Sequence, residues 1–151
     1  MAAPGTVAGL VPWLITRWRP GEGATTLLAV AGVVLIALGA VGLVECFLRF
    51  ALQANGTPAP FAPTERLVVR GLYRFVRNPM YVAVLLLILG QTLLFANVGL
   101  LVYAILAWTA FHVFVVSVEE PRLRHRYAEE YAAYAAAVRR WRPRVTPWRG
   151  A

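Results

Sequence analysis

The chain contains no lysine and no aspartate, so all of its 15 basic residues are arginine and all of its 7 acidic residues are glutamate. This restricted choice, with abundant alanine, points to a GC-rich genome more than to a function. Cysteine is nearly absent too: Cys46 stands alone in an apolar run, which excludes a disulfide framework or a cysteine metal cluster and predicts a plain buried thiol. The sequence shows no clustered metal ligands, Walker loop, GxGxxG segment or Ser-His-acid pattern, so no metal site is expected.

Apolar residues dominate the composition. They make up 60% of the 151 residues, and the mean hydropathy of +0.63 is typical of a membrane protein with a single domain. The net charge of +8 favours anionic lipid headgroups or anionic ligands as partners. Nucleic acid is not expected, because the arginines flank apolar runs and do not line a soluble basic face.

Three apolar runs are long enough to cross a bilayer of about 30 Å. They cover residues 25–48, 79–96 and 98–118. Only Asn97 separates the last two, so we expect them to form a tight antiparallel helical hairpin. The sequence therefore predicts an all-α membrane protein with about three transmembrane helices.

The remaining segments differ from these runs in composition. The lead, residues 1–24, has an apolar core that is too short to cross and contains Pro12, so we expect it to be interfacial or re-entrant. The segment 49–78 is predicted to be a cytosolic loop, since its part 53–64 carries three prolines and a glycine. In 119–151, apolar residues recur at helical spacing among arginines and glutamates, which predicts an amphipathic cytosolic or interfacial helix followed by an extended tail.

The distribution of arginine predicts the orientation in the membrane. The loop 49–78 holds five arginines and the residues after 118 hold eight, whereas the turn at Asn97 holds none. Cytoplasmic segments carry the excess of basic residues. We therefore expect the loop and the tail on the cytoplasmic side, in the inner membrane of a bacterium.

The segment GLYRFVRNPMY places arginines directly before an apolar run. Asn78 and Pro79 form a helix-start signature, in which the asparagine caps free amides and the proline loses no hydrogen bond. The free amides and the helix dipole, with Arg77 beside them, would bind a carboxylate or phosphate. Alternatively, Arg70, Arg74 and Arg77 simply reach lipid phosphates at the membrane surface.

A pair of glutamates, Glu119 and Glu120, follows the third apolar run. Carboxylates are unfavourable at a helix C-terminus unless cations or hydroxyl groups receive them. The hairpin returns this pair to the side of Arg77, so either an arginine–glutamate clamp or an amphoteric ligand between the two groups is expected. His112, seven residues before Glu119, shares its helical face and is a further candidate for proton transfer, with a structural hydrogen-bonded histidine as the alternative.

The segment GLYRFVRNPMY, the hairpin after it and the block EEPRLRHRYAEEYAAYAAAVRRWRPR together resemble the isoprenylcysteine carboxyl methyltransferase and phospholipid methyltransferase superfamily. The resemblance covers about residues 67–144. Members of this superfamily are integral membrane enzymes that use S-adenosylmethionine and release S-adenosylhomocysteine. The resemblance implies cofactor-binding residues Tyr73, Arg74, Arg77, Asn78, Pro79, Tyr81, Glu119, Glu120 and Tyr131, with Glu119, Glu120 and His112 as candidate catalytic residues.

The likeness fits the chemistry of the cofactor but is not complete. A helix N-terminus with Arg77 suits the carboxylate of S-adenosylmethionine, and glutamates suit its ribose hydroxyls and sulfonium. Asn78 replaces the histidine that is commoner in the superfamily. The residues Arg126, Tyr127 and Ala128 stand where many members have Phe-Gly, so we expect a differently shaped lid.

The predicted function is methyl transfer to a lipidic or small hydrophobic acceptor, such as a prenylcysteine or other isoprenoid carboxylate, a phospholipid amine or a thiol. A carboxylate acceptor needs no base, whereas an amine or a thiol could use Glu119, Glu120 or His112. Two alternatives stay open: a sterol-type membrane reductase that binds NADPH, and a non-catalytic membrane scaffold. The lipid bilayer is an expected partner, and a second copy could cover an exposed flank of so small a helical core.

Overall fold

The computed structural model describes residues 4–19, 21, 23, 25–53, 67 and 69–150, without the side chains of 50–53. All regular structure in these ranges is helical. The α-helices are α1 (Val11–Thr16), α2 (Thr26–Gln53), α3 (Pro79–Phe95), α4 (Val98–Phe114) and α5 (Glu120–Ala137), with π-helical turns at Thr6–Leu10 and Val115–Glu119 and a 3₁₀ turn at Gly71–Arg74. Most of the predicted proline-rich loop, 54–66, and part of the predicted lead, at 1–3, 20, 22 and 24, lie outside the described residues.

The predicted class, an all-α membrane protein, is confirmed. The stretch Thr26–Arg49 and the continuous helix that begins at Val98 are each long and apolar enough to cross a membrane. Helix α3 has 17 residues and rises about 25 Å, which is near the lower limit for a span. Large apolar side chains along α2 and α4 are exposed, as surfaces in contact with lipid tails must be; they include Leu27, Val30, Leu38, Val41, Ile105 and Leu106.

The chain divides into two compact units, of which the first comprises Met1–Val41 and Met80–Phe111. Here α2 and α3 approach each other at glycines: a Cβ on Gly32 would lie 2.6 Å from the carbonyl oxygen of Gly90. Only hydrogen at these positions permits such a backbone contact. The lead is tied into the same unit, since Gln91 donates from Nε2 to the carbonyl of Ala8 at 2.7 Å.

A two-residue turn joins α3 to α4. Helix α3 ends at Phe95, and Ala96 adopts a positive φ of 46° that reverses the chain. Asn97 then caps α4, because its Oδ1 accepts a hydrogen bond from the amide of Leu100 at 3.1 Å. The tight hairpin turn predicted at Asn97 is therefore present.

The second unit comprises Gly42–Pro79 and His112–Ala151. Its core is formed by Tyr131 and Tyr134 of α5 and by Val138, which directly follows this helix. Trp148 packs against these three residues. The tail after α5 runs antiparallel to the segment 74–77 and is paired with it by three backbone hydrogen bonds. The amide of Arg77 donates to the carbonyl of Arg139 at 3.0 Å. The amides of Arg144 and Trp148 donate to the carbonyls of Phe75 and Arg74, both at 2.9 Å. The predicted extended tail is thus a paired part of this unit.

Candidate functional site

A cavity of about 230 Å³ lies inside the second unit. Its lining combines cationic, anionic, phenolic and apolar side chains. They are Cys46, Arg49, Leu67, Tyr73, Arg77, Asn78, Val115, Glu119, Glu120, Leu123, Tyr127, Tyr131 and Tyr134. Such a mixture suits a ligand that carries both charges and an aromatic or apolar part. The cavity is smaller than the roughly 300–1,000 Å³ usual for small-molecule sites, so a ligand of that size requires the lining to move.

Glu120, the first residue of α5, is the most heavily paired carboxylate of the cavity. Its side chain is only 6% exposed, and Arg140 binds both of its oxygens, with Nε–Oε1 and Nη2–Oε2 distances of 2.6 and 2.9 Å. Arg77 approaches Oε1 through Nη1 at 3.2 Å, and Arg124 approaches Oε2 at 3.8 Å. A buried carboxylate is tolerated only with such partners.

The arginines decide the ionisation of Glu120. Burial by itself raises the pKa of this carboxyl, but the hydrogen bond from Arg140 and the charges of Arg77, Arg140 and Arg124 outweigh it, so the net pKa lies below its ordinary value. Glu120 is therefore a carboxylate at neutral pH. The same carboxylate and, above all, burial raise the pKa of the Tyr131 phenol, which stays protonated.

Arg77 lines the cavity with a side chain that is 12% exposed. Besides its contact with Glu120, its Nη1 donates to the hydroxyl of Tyr131 at 3.3 Å. Its Nε is buried and has no hydrogen-bond acceptor among the described residues. A buried guanidinium nitrogen without an acceptor is costly, so Arg77 keeps one donor that no described residue uses.

Asn78 is buried beside Arg77 and also binds the tail. Its Nδ2 donates to the carbonyl of Arg140 at 3.2 Å. The backbone amide of Arg77 also donates to the carbonyl of Arg139. The two bonds together fix the backbone at Arg139 and Arg140, from which the Arg140 side chain extends. The asparagine thus connects the predicted motif to the residue that neutralises Glu120.

Tyrosines of the cavity contact each other and the 3₁₀ turn. The hydroxyl of Tyr134 donates to the carbonyl of Tyr73 at 2.7 Å, and the rings of Tyr131 and Tyr134 meet edge to face at 6.2 Å. Gly71 begins the turn with a φ of 56°, and a Cβ there would collide with the ion pair between Glu45 and Arg49. Glycine is therefore required where α2 contacts this turn.

The structure brings together six of the residues that the sequence singled out, and it places four others outside the cavity lining. Those in the lining are Tyr73, Arg77, Asn78, Glu119, Glu120 and Tyr131. Arg74 binds the tail, with its Nε 2.6 Å from the carbonyl of Trp148, and Pro79 is the buried first residue of α3. The ring of Tyr81 packs on Phe111 with centroids 4.8 Å apart. His112 accepts at Nδ1 a hydrogen bond from the indole of Trp141 at 3.1 Å.

Three residues that contribute a charge or a thiol to the site were not among the predicted site residues. Cys46 and Arg49 line the cavity from α2, and their spacing of three residues, which puts both on one helical face, was the signal available. Arg140 is the third. No spacing rule connects position 140 with 120, so only the need of Glu120 for a cation pointed to it.

No group of three or more His, Cys, Asp or Glu side chains in the described part of the chain is arranged to hold a metal ion. The chemistry of the lining is instead that of arginine, carboxylate, phenol and thiol. These groups recognise organic anions, hydroxyls and cations through charge and hydrogen bonds.

The model of a known family, phospholipid methyltransferase, matches residues 27–130. The chain belongs to the phospholipid methyltransferase family. The superfamily resemblance seen in the sequence is thereby confirmed. The matched range contains Arg77, Asn78 and both glutamates of the cavity, whereas Tyr131 and Arg140 lie beyond it.

A curated relative adds a distant similarity. The cobalt-zinc-cadmium resistance protein CzcN of Cupriavidus metallidurans is 29% identical over 135 residues, which cover 89% of this chain and 57% of the relative. The phospholipid methyltransferase family member described here thus spans little more than half the length of that protein. No solved structure gives a significant match.

Proposed function

We propose that the protein is an integral membrane methyltransferase that takes S-adenosylmethionine into the cavity around Arg77 and transfers its methyl group to a lipidic or small hydrophobic acceptor. Membership of the phospholipid methyltransferase family supports the reaction class. The single structural observation that carries the proposal is Arg77, a residue of the cavity lining whose buried Nε has no acceptor among the described residues.

The cavity residues fit the two charges of S-adenosylmethionine. In the proposal, the guanidinium of Arg77 binds the carboxylate of the ligand, since an arginine recognises a carboxylate through two parallel hydrogen bonds. Glu119, half-buried in the lining, faces an ammonium or ribose hydroxyls. The rings of Tyr73, Tyr127 and Tyr131 offer faces for stacking and for cation–π contact with a sulfonium.

The two adjacent glutamates have different roles in this proposal. Glu120 is paired with Arg140 and Arg77, so it is not available to the ligand and does not exchange protons at neutral pH. Glu119 is therefore the carboxylate that we assign to the ligand. His112, bound to Trp141 and outside the lining, has no assigned role in the reaction.

S-adenosylmethionine supplies a methyl group bound to a sulfonium, which needs only an aligned nucleophile. The chain's residues contribute alignment, by fixing both ends of an amphoteric ligand, and exclude water through their aromatic and apolar lining. Because helix α2 is apolar enough to cross a membrane and places Cys46 in the lining, an acceptor dissolved in lipid can meet the soluble donor there. Prenylcysteine or isoprenoid carboxylates, phospholipid amines and hydrophobic thiols all satisfy this description.

Binding of S-adenosylhomocysteine to the detergent-purified protein tests the proposal. We expect saturable binding by isothermal titration calorimetry and a rise in the midpoint of thermal unfolding, with no response to NADPH. Binding of NADPH instead would assign a reductase, and binding of neither would leave a scaffold. Incubation with methyl-labelled S-adenosylmethionine and a membrane lipid extract, followed by identification of the labelled product, then defines the acceptor.

A further inference from the structure

Three arginine side chains approach Glu120, although a single one can neutralise a carboxylate. Arg140 occupies both oxygens at 2.6 and 2.9 Å, whereas Arg77 reaches only one of them, at 3.2 Å and through a single nitrogen. The third cation, Arg124, has a side chain that is 66% exposed and lies 3.8 Å away. Solvent screens an exposed contact of this kind, so Arg140 is the principal counter-ion of Glu120.

We propose that Arg140 is a positioning residue that keeps Arg77 available to the ligand by occupying both oxygens of Glu120. This inference rests on the proposed function, in which Arg77 receives a carboxylate. In this scheme Arg140 does not contact the ligand. Its effect passes through Glu120, whose charge it satisfies in place of Arg77.

The consequence of losing Arg140 follows from the burial of Glu120. A carboxylate that is 6% exposed cannot stay without a strong partner, and Arg77, with its Nη1 already 3.2 Å from Oε1, is the nearest buried guanidinium. An arginine beside a carboxylate prefers a paired contact that uses Nε and one Nη. In that arrangement the Nε of Arg77, which is now without an acceptor in the described residues, would donate to Glu120.

The tail that carries Arg140 is held firmly enough for this role. The carbonyls of Arg139 and Arg140 accept hydrogen bonds from the amide of Arg77 and from Asn78 Nδ2, at 3.0 and 3.2 Å. Further along, Arg144 donates from Nη1 to the carbonyl of Ala137 at 2.9 Å. Arg140 also lies beyond residues 27–130, so it belongs to the part of the site that the family match does not contain.

The first test measures the affinity for S-adenosylhomocysteine of the full chain in detergent. We expect Arg140→Ala to weaken binding about tenfold, which is within the range for residues coupled in one ion-pair network, and Arg140→Lys to weaken it less. Arg142→Ala removes an exposed arginine of the same tail and serves as the matched control, with unchanged affinity. Unchanged affinity in Arg140→Ala would overturn the proposal.

The double variant Glu120→Gln with Arg140→Ala separates positioning from structural support. Without a carboxylate to capture Arg77, binding should return to within about threefold of the wild type, a strongly non-additive result. The double variant also removes the buried carboxylate that Arg140→Ala leaves without its principal counter-ion, so its thermal unfolding midpoint should lie above that of Arg140→Ala. Binding as weak as in Arg140→Ala would show that Arg140 acts on the ligand or on the fold.

A second readout needs no ligand and so separates this inference from the proposed function. In the selectively ¹⁵N-arginine-labelled protein, the Nε–H resonance of Arg77, assigned with Arg77→Lys, reports whether this group has an acceptor. We expect Arg140→Ala to shift it strongly downfield and to protect it from solvent exchange, and the double variant to reverse both changes. An unchanged resonance overturns the positioning role, whereas absence of S-adenosylhomocysteine binding to the wild type overturns only the proposed function.

Discussion

Glu119 and Glu120 are neighbours in the chain and line the same cavity, yet they differ in burial. Glu120 is almost fully buried among arginines, and Glu119 is half-buried in the cavity lining. Successive residues of a helix point in different directions, so one member of such a pair can be structural while the other faces a ligand. The pair is therefore better regarded as two single residues with separate tests.

Replacing Arg77 by alanine should remove the principal anion contact of the cavity. We expect Arg77→Ala to weaken S-adenosylhomocysteine binding about 10- to 100-fold, since a hydrogen bond to a charged group contributes about 1.5–3 kcal/mol. The fold should persist, because Glu120 keeps both bonds to Arg140. Arg70→Ala, which removes an exposed arginine of the same segment, is the control. Equal affinities in calorimetry would contradict the assignment.

The stability supplied by Glu120 should depend on pH in a defined direction. Its pKa in the folded protein lies below the value of about 4.3 for an unfolded chain, so its favourable contribution is complete above that value and is lost as the pH falls through the lower, folded pKa. We expect Glu120→Gln to destabilise the protein by about 3 kcal/mol at pH 7 and by progressively less as the pH falls below about 4.3. Thermal unfolding in detergent at pH 3.5–8 measures this difference.

Glu129→Gln provides the comparison for that experiment. Glu129 is an exposed residue of the same helix, so its replacement should change the unfolding midpoint little at any pH. A difference between wild type and Glu120→Gln that stayed constant down to pH 3.5 would mean that Glu120 is not a buried, arginine-bound carboxylate.

The sequence allowed part of this residue-level organisation to be predicted. The expected return of the glutamates to the side of Arg77 agrees with the Arg77–Glu120 distance of 3.2 Å. A helix-start motif, a hairpin of known length and the need of a carboxylate for a cation were enough for that expectation. Arg140 could not be predicted in the same way, because its contact depends on how an irregular tail folds back, and such tertiary contacts leave no periodic pattern.

At the level of elements, the π-helical turn Val115–Glu119 interrupts the regular helical spacing between His112 and Glu119. A separation of seven residues puts His112 and Glu119 on one face only if every turn has 3.6 residues. The π-turn has i→i+5 hydrogen bonds and therefore changes the register between them. In the structure, Glu119 lines the cavity, and His112 accepts a hydrogen bond from the indole of Trp141. Sequence patterns do not reveal single π-turns, so this part was beyond prediction.

Helix α5 is kinked at Ala128, which has a φ of 24° and a ψ of −99°. This is the position where the sequence departs from the Phe-Gly of many superfamily members. A positive φ is less unfavourable for glycine, which lacks a Cβ, than for alanine, so we expect Ala128→Gly to stabilise the protein by about 1 kcal/mol. For a chain of this size that corresponds to a rise of about 2–4 °C in the thermal unfolding midpoint.

Ala132→Gly gives the opposite expectation and serves as the matched control. Ala132 is an exposed residue in the regular part of the same helix, where glycine costs about 0.5–1 kcal/mol relative to alanine. The two substitutions should therefore shift the unfolding midpoint in opposite directions. If both lower it equally, Ala128 has an ordinary helical conformation and the kink is not present in solution.

For the whole molecule, composition and run length were sufficient to predict the class. A chain with 60% apolar residues cannot bury them all in a small core, and the exposed apolar surfaces of α2 and α4 are the structural counterpart. The packing of the lead was harder to predict, because a short apolar segment can either lie on a membrane or pack against other helices. Its hydrogen bond from Gln91 to the carbonyl of Ala8 is a tertiary contact that the sequence does not encode locally.

The proposed orientation can be tested with single cysteines. Val98→Cys places a thiol at the exposed start of α4, and Ala133→Cys places one on the exposed face of α5. In spheroplasts of a bacterial host, an impermeant maleimide should label position 98 without lysis and position 133 only after lysis. The native Cys46 is 1% exposed and should not react. The reverse labelling pattern would invert the assignment of the cytoplasmic side.

The pairing of the tail with the segment 74–77 also orders events during biosynthesis. Arg77 leaves the ribosome long before Arg140, and chains fold progressively as they are made. Arg77 and Glu120 are thus both translated before Arg140. The segment 74–77 can therefore form its three backbone hydrogen bonds to the tail only once residues 139–148 have been translated.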